Sequence, residues 1–297
     1  MSPKNVEPMA AANADVDIKA RQVEDGRIRL TVKPARRELR WAKTQVVCRM
    51  ALAGYLLGAF MYGRTAFPTS IVVIRTSDRV VMAADSKGTF VGEGGITAEQ
   101  VCKIYRSGTS FFAVAGFAND PVTRFNLSAT VVEASKGQEG IAAKIEATVS
   151  AVKPLLDREA VLLRYRRNEY EHLTDPQNGG ATVVFISVNQ GVPVAEGVQF
   201  SPHISKANVV RFTIRLDACP GNCPNGVKVF WAGAHRAIEQ FIASSQEHRS
   251  LPPEDLARDF VHLEVLDDSA NVGTPIDSVS MTADGSYRID SEHNCPK

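Results

Sequence analysis

The chain has 297 residues, 44% of them hydrophobic and 23% charged, with a net charge of +1. That length builds one large domain or two modest ones around a sizeable core. The balanced charge gives no argument for nucleic-acid binding and no strong field for steering acidic partners, and a short basic run such as Arg164-Tyr165-Arg166-Arg167 reads as a solvated helix face.

Residues 1–45 are polar and mixed in charge, and read as disordered or as an over-extended start of the reading frame. Arg36, Arg37, Arg40, Lys43 and Arg49 then precede an apolar run over 50–63. This run is shorter than the roughly 20 residues of a membrane span. It fits the apolar region of a signal peptide behind a basic region, with Met50 as a candidate start. A membrane anchor and a buried core helix are the alternatives. Residues 46–68 are therefore read as a leader or propeptide and 69–297 as the folded domain. The expected location is periplasmic or secreted, the alternative cytoplasmic. Of the five cysteines, Cys48 falls in the leader, and Cys102, Cys219, Cys223 and Cys295 remain. An even number in an exported chain permits disulfides, and Cys219-Pro-Gly-Asn-Cys223 would close a small loop. Free thiols and a zinc site stay open as alternatives, although no second Cys or His pair has ligand spacing.

Residues 70–75 and 79–84 are apolar and β-branched around Thr76-Ser77-Asp78, a hairpin. Both strands are apolar on both faces, which predicts burial on both sides in a layered fold. Gly92-Glu-Gly-Gly95 marks a loop, and a second hairpin is predicted over 101–105 and 110–115. Asp120 with Pro121 reads as a helix start, with Val122, Phe125, Leu127, Val131 and Val132 near helical spacing. A second helix begins near Ile141, kinked or broken at Pro154, and a charged helical stretch continues to about His172. Strands follow over 181–188, 192–199, 209–216 and 227–231, then helices over 233–245 and from Pro252 or Pro253 to about 266. A hairpin over 276–282 and 286–289 closes the chain around Asp284-Gly285, a type I′ turn signal. Strands and helices come in groups, which predicts an α+β protein. Two mostly antiparallel sheets between two helical pairs, a four-layer αββα sandwich, would bury the apolar strands on both faces.

The first hairpin also carries a candidate site. Its register places Thr69 opposite Ser86 and Ser70 opposite Asp85, so an acid stands beside a threonine at the head of a strand. A buried acid needs a partner, and Lys103, at the start of the next predicted hairpin, supplies one. Thr69 would be the nucleophile, with Lys103 lowering the effective pKa of its hydroxyl and Asp85 positioning the lysine. The structural alternative is that Asp85 opens a turn and Lys103 reaches out from an edge strand. An N-terminal threonine carries its own base, the α-amine. The six histidines are scattered, His235 reads as structural, and no phosphate-binding glycine loop is present. No cofactor, metal or nucleic acid is therefore assigned.

The segments Thr69-Ser-Ile-Val-Val-Ile-Arg75, Val80-Val-Met-Ala-Ala-Asp-Ser-Lys87, Cys102-Lys-Ile104 and Val114-Ala-Gly-Phe-Ala118 resemble proteasome β subunits and the HslV-type bacterial peptidase. A Val-Gly-x-Pro-Ile-Asp segment over 272–277 also matches. The resemblance implies the N-terminal nucleophile (Ntn) hydrolase fold, with Thr69 as nucleophile, Asp85 and Lys103 as its supporting pair and the Gly116 N–H stabilising an oxyanion. Ser86 and Asp268 are assigned supporting roles. The implied activity is hydrolysis of a peptide or small amide after removal of the leader, in a homo-oligomer, with no ATPase partner evident. Three departures stand out. Ala232 occupies the place of a supporting serine, Val272 that of a second hydroxyl, and Pro68 precedes Thr69 where self-processing chains commonly have glycine. A chain of the same fold that binds or assembles without catalysis is the alternative.

Overall fold

The computed structural model describes residues 69–92, 95–175, 179–219, 228–244 and 251–291, all within one compact unit. The segments read as a disordered start and a leader, together with Cys223 and Cys295, lie outside the described residues.

β1 (Ser70–Arg75) and β2 (Arg79–Asp85) form the first hairpin, with Ile71 opposite Ala84. Thr76 closes its turn: the N–H donates to the Arg79 carbonyl at 2.9 Å and the hydroxyl to Asp78 at 2.7 Å. β3 (Lys87–Gly92) and β4 (Gly95–Gln100) pair in a second hairpin where the sequence suggests only a loop. Glycines at 88, 92, 94 and 95 erase the alternation that marks a strand. β5 (Ile104–Ser107) and β6 (Ser110–Gly116) follow, β5 starting after Lys103 rather than at 101.

The helix expected at Asp120 starts later. β7 (Asn119–Asp120) and β8 (Phe125–Asn126) pair first, and the Asp120 carboxylate accepts from the N–H groups of Val122 and Thr123 at 2.8 and 3.4 Å. Asp120 thus holds an Asx turn, which competes with a helix cap for the same residue type. Asn126 caps α1 (Leu127–Ser135) by accepting from the Ala129 N–H at 2.8 Å.

α2 (Ile141–Leu162) runs through Pro154 without the break that proline suggested. Proline removes the donor to the Ser150 carbonyl. Pro154 and Ser150 both lie on the exposed face, where solvent meets that carbonyl, while Ile145, Val152 and Leu156 hold the opposite face in the core. A short 3-10 turn, Leu163–Tyr165, leads to α3 (Arg167–Thr174). β9 (Ala181–Asn189), β10 (Val192–Ile204), β11 (Val210–Cys219) and β12 (Lys228–Gly233) come next, then α4 (Arg236–Ser244) and α5 (Pro253–Asp267). β13 (Ile276–Thr282) and β14 (Tyr287–Asp290) end the chain around Gly285, whose φ of +84° is the conformation the Asp-Gly pair signals.

The long strands make two five-stranded sheets, ordered β12-β1-β2-β13-β14 and β11-β10-β9-β6-β5, with every pairing antiparallel. Alternate side chains of β1 and β2 enter different clusters. Ile71, Val73, Met82 and Ala84 pack with Phe111, Ala113 and Ile186 of the second sheet. Val72, Ile74, Val81 and Ala83 pack with Ile238 of α4 and Leu256 and Phe260 of α5. On the second sheet, Phe112, Val183 and Phe185 meet Leu127 and Val131 of α1 and Val152 of α2. This partition explains why β1 and β2 are apolar on both faces. The chain is an α+β protein built on antiparallel sheets. Among the described residues no helix is long and apolar enough to cross a membrane.

Candidate functional site

Thr69 stands at the head of β1, buried, and its carbonyl accepts from the Ala234 N–H at 2.8 Å. Gly233, at the end of β12, makes this approach possible. Its φ is +79°, and a Cβ there would stand 1.6 Å from the Thr69 carbonyl oxygen. The same point lies 3.5 Å from the Ala115 Cβ on β6, so this end of β12 lies against the second sheet. Gly116 has φ +84°, and a Cβ on it would meet the Gly180 carbonyl oxygen at 2.5 Å. Backbone crowding by itself therefore requires glycine at 116.

Asp85 ends β2 with no exposed surface. Its Oδ1 accepts from Lys103 Nζ at 2.8 Å and from the Ser70 N–H at 2.9 Å. Its Oδ2 accepts from the N–H groups of Lys87 at 3.1 Å and Gly273 at 3.3 Å. Donors thus engage both oxygens of this buried carboxylate, one of them the Lys103 ammonium. Lys103 is also buried, and burial holds its amine below the usual lysine value of 10.5, with the Asp85 charge opposing and the Lys87 charge adding to the depression. The pairing that the sequence suggests between residues 85 and 103 is thus present, beside Thr69.

Ser86 is fully buried and donates from Oγ to Asp277 Oδ2 at 3.1 Å, with Asp277 on β13 also buried. The Ser86 N–H donates to the Gly273 carbonyl at 3.2 Å, and its carbonyl accepts from Val101 at 2.7 Å. Asp268, by contrast, accepts from Asn271 Nδ2 on both carboxylate oxygens at 3.0 Å, at the end of α5. Asp267 pairs with Arg236. The acid that adjoins Ser86 is Asp277, which the sequence reading passed over. Its signal is a charged residue on a strand face shared with Val279 and Met281.

A cavity of about 380 Å³ opens beside these groups, lined by residues that include Lys87, Glu99, Val265, Val272 and Gly273. The Lys87 stem lies against Gly273, and its Nζ donates to the Ser269 carbonyl at 2.8 Å. His235 is exposed, stacks on Trp231 at 6.2 Å between ring centroids, and has Nδ1 2.5 Å from the Gly233 carbonyl oxygen. Cys102 and Cys219 are both disulfide-bonded, which decides between the three readings left open for them. Among the described residues no cluster of three or more metal-binding side chains is present.

No family model matches the chain, and no curated protein matches it. The solved structures it matches include the Gly-1 mutant of Anbu from Hyphomicrobium sp. strain MC1, at 15% identity and a TM-score of 0.45, over 75% of this chain and 86% of that one. A second Anbu structure from the same organism matches at 15% identity and a TM-score of 0.41, over 76% of this chain and 88% of that one. These findings correct the resemblance to proteasome β subunits and the HslV-type peptidase drawn from the sequence. The structural neighbours carry a different name, and the segments that suggested the resemblance are short.

Proposed function

We propose that the chain is an amide hydrolase that uses Thr69 as an N-terminal nucleophile once the preceding residues are removed. The observation that supports this reading most is the buried Asp85–Lys103 pair beside Thr69, held by four hydrogen bonds on one carboxylate. A buried ion pair contributes little net stability, so its presence at a strand head argues for use in chemistry. In this reading the Thr69 hydroxyl attacks an amide carbonyl, its proton passing to the α-amine directly or through water. The Lys103 cation lowers the hydroxyl's effective pKa, Asp85 positions the lysine, and the Gly116 N–H stabilises the tetrahedral oxyanion. Collapse of the intermediate breaks the C–N bond, and the amine leaves with the proton held by the α-amine; water then hydrolyses the acyl ester, releasing the acid and restoring the Thr69 hydroxyl. The substrate is a peptide or small amide.

The same reading takes the two sheets and their flanking helices as the four-layer αββα sandwich of N-terminal nucleophile hydrolases, assembled as a homo-oligomer. It places the protein outside the cytoplasm. The disulfide bonds of Cys102 and Cys219 support an oxidising compartment.

A non-catalytic binding module is the second reading, favoured by Pro68 directly before Thr69, since proline restricts the geometry of the bond to be cut. The intact mass and N-terminal sequence of the protein isolated from its host decide between them. The hydrolase reading expects Thr69 as the first residue, together with covalent labelling by a threonine-directed electrophile that Thr69→Ala abolishes. A mature protein that retains Pro68, or equal labelling of the variant, excludes it.

A further inference from the structure

Alternation along β1 puts Thr69 on the face of Ile71 and Val73, between the two five-stranded sheets. Asp277 on β13 is registered with Ala84 and shares that face with Val279 and Met281. Extending the β1–β2 ladder two residues past Ile71 and Ala84 sets Ser86 opposite Thr69, where facing Cβ atoms stand roughly 5 Å apart. On that extension Ser86 lies between Thr69 and a buried carboxylate to which it donates its hydroxyl proton. A carboxylate on an otherwise apolar strand face is costly to bury.

We propose that Ser86 and Asp277 are positioning residues for Thr69, resting on the threonine-nucleophile reading above. Asp277 accepts the Ser86 hydroxyl proton and so leaves the lone pairs of Ser86 Oγ turned toward Thr69. There they accept from its α-ammonium or its hydroxyl. Polar support for the nucleophile thus comes from the end of β2 and from β13. The Ser86 backbone extends the effect, because its bonds to Gly273 and Val101 tie the Asp277 anchor to a donor of Asp85 and to the segment that carries Lys103.

The test uses Ser86→Ala, Asp277→Ala, Asp277→Asn and the double alanine variant, each reacted with a threonine-directed electrophile so that binding and inactivation constants are separated. Each alanine variant is expected to lose about tenfold in the inactivation rate constant with binding unchanged, a change on the scale of one oriented hydrogen bond. Asp277→Asn keeps an acceptor oxygen and is expected to recover most of that rate. The double variant should be no slower than the slower single one, because the two residues act as a unit. Multiplying losses, an asparagine variant as slow as the alanine, or an unchanged rate constant in Ser86→Ala each overturns the proposal. Amide hydrogen exchange reads the clamp without chemistry. Asp277→Ala should accelerate the Ser86 and Val101 amides while those of β9 and β10 keep their protection, and unchanged exchange at both refutes it. If the wild-type protein is not labelled at all, the threonine reading falls and exchange alone decides the clamp.

Discussion

At the scale of single residues, breaking the buried Asp85–Lys103 pair is expected to cost the most, although the intact pair adds little net stability. Replacing Asp85 by Asn strands a buried ammonium, and a loss of about 3–5 kcal/mol in urea unfolding at neutral pH is expected. Adding Lys103→Met to that variant removes the stranded charge and should recover part of the loss. The sign of the pH dependence follows from the lowered lysine value. Between the folded value and 10.5 the unfolded chain binds more protons than the folded one, so the lysine's contribution to stability rises with pH across that window. Below it the cost of burying the charge is complete. Asp85→Asn removes the opposing interaction and should widen the window toward lower pH, measured as stability against pH. Gly233→Ala is a different case, since a Cβ would stand 1.6 Å from the Thr69 carbonyl oxygen in a backbone conformation that alanine disfavours. A loss of about 2–4 kcal/mol is expected in chemical denaturation. The contacts of Asp85 with Lys103 and the Ser70 N–H were legible because one tight hairpin sets the register and Lys103 follows soon after. Asp277 was not, since its contact with Ser86 spans 191 residues.

At the scale of elements, the strongly patterned segments formed where the sequence placed them and the weakly patterned ones did not. β1, β2, β13 and α2 carry long apolar runs or a helical stripe that survives Pro154. β3 and β4 are rich in glycine, and β7 and β8 are two residues each, so neither pair has a period to read. The first helix shows how one residue type serves two purposes. Asp120 and Asn126 both accept from backbone N–H groups a few residues on, yet only Asn126 is followed by a helix. Asn126→Ala should cost about 1 kcal/mol, and Asp120→Ala should leave the start of α1 where it is, as backbone chemical shifts would report. Pro154→Ala should stabilise the protein by about 1–3 kcal/mol in thermal unfolding, because α2 is continuous on both sides and the site is exposed.

At the scale of the whole molecule, two antiparallel sheets share one cluster of apolar side chains and turn their other faces to helices. The disulfides at Cys102 and Cys219 add covalent constraint, one of them directly before Lys103. Reduction should lower stability by about 2–4 kcal/mol per bond, seen as a melting temperature that falls when reductant is added. The sequence by itself determined the α+β class, the grouping of strands and helices, and the juxtaposition of Thr69 with Asp85. Each of these rests on local periodicity or on a turn only a few residues long. Tertiary structure alone decided which acid joins Ser86, that Gly273 donates to Asp85 across 188 residues, and that Gly233 lets the Thr69 carbonyl approach the end of β12. Asp267, Asp268 and Asp277 lie close together in sequence and are the same residue type. Only the helix end that engages the first two, and the strand alternation that turns the third inward, tell them apart.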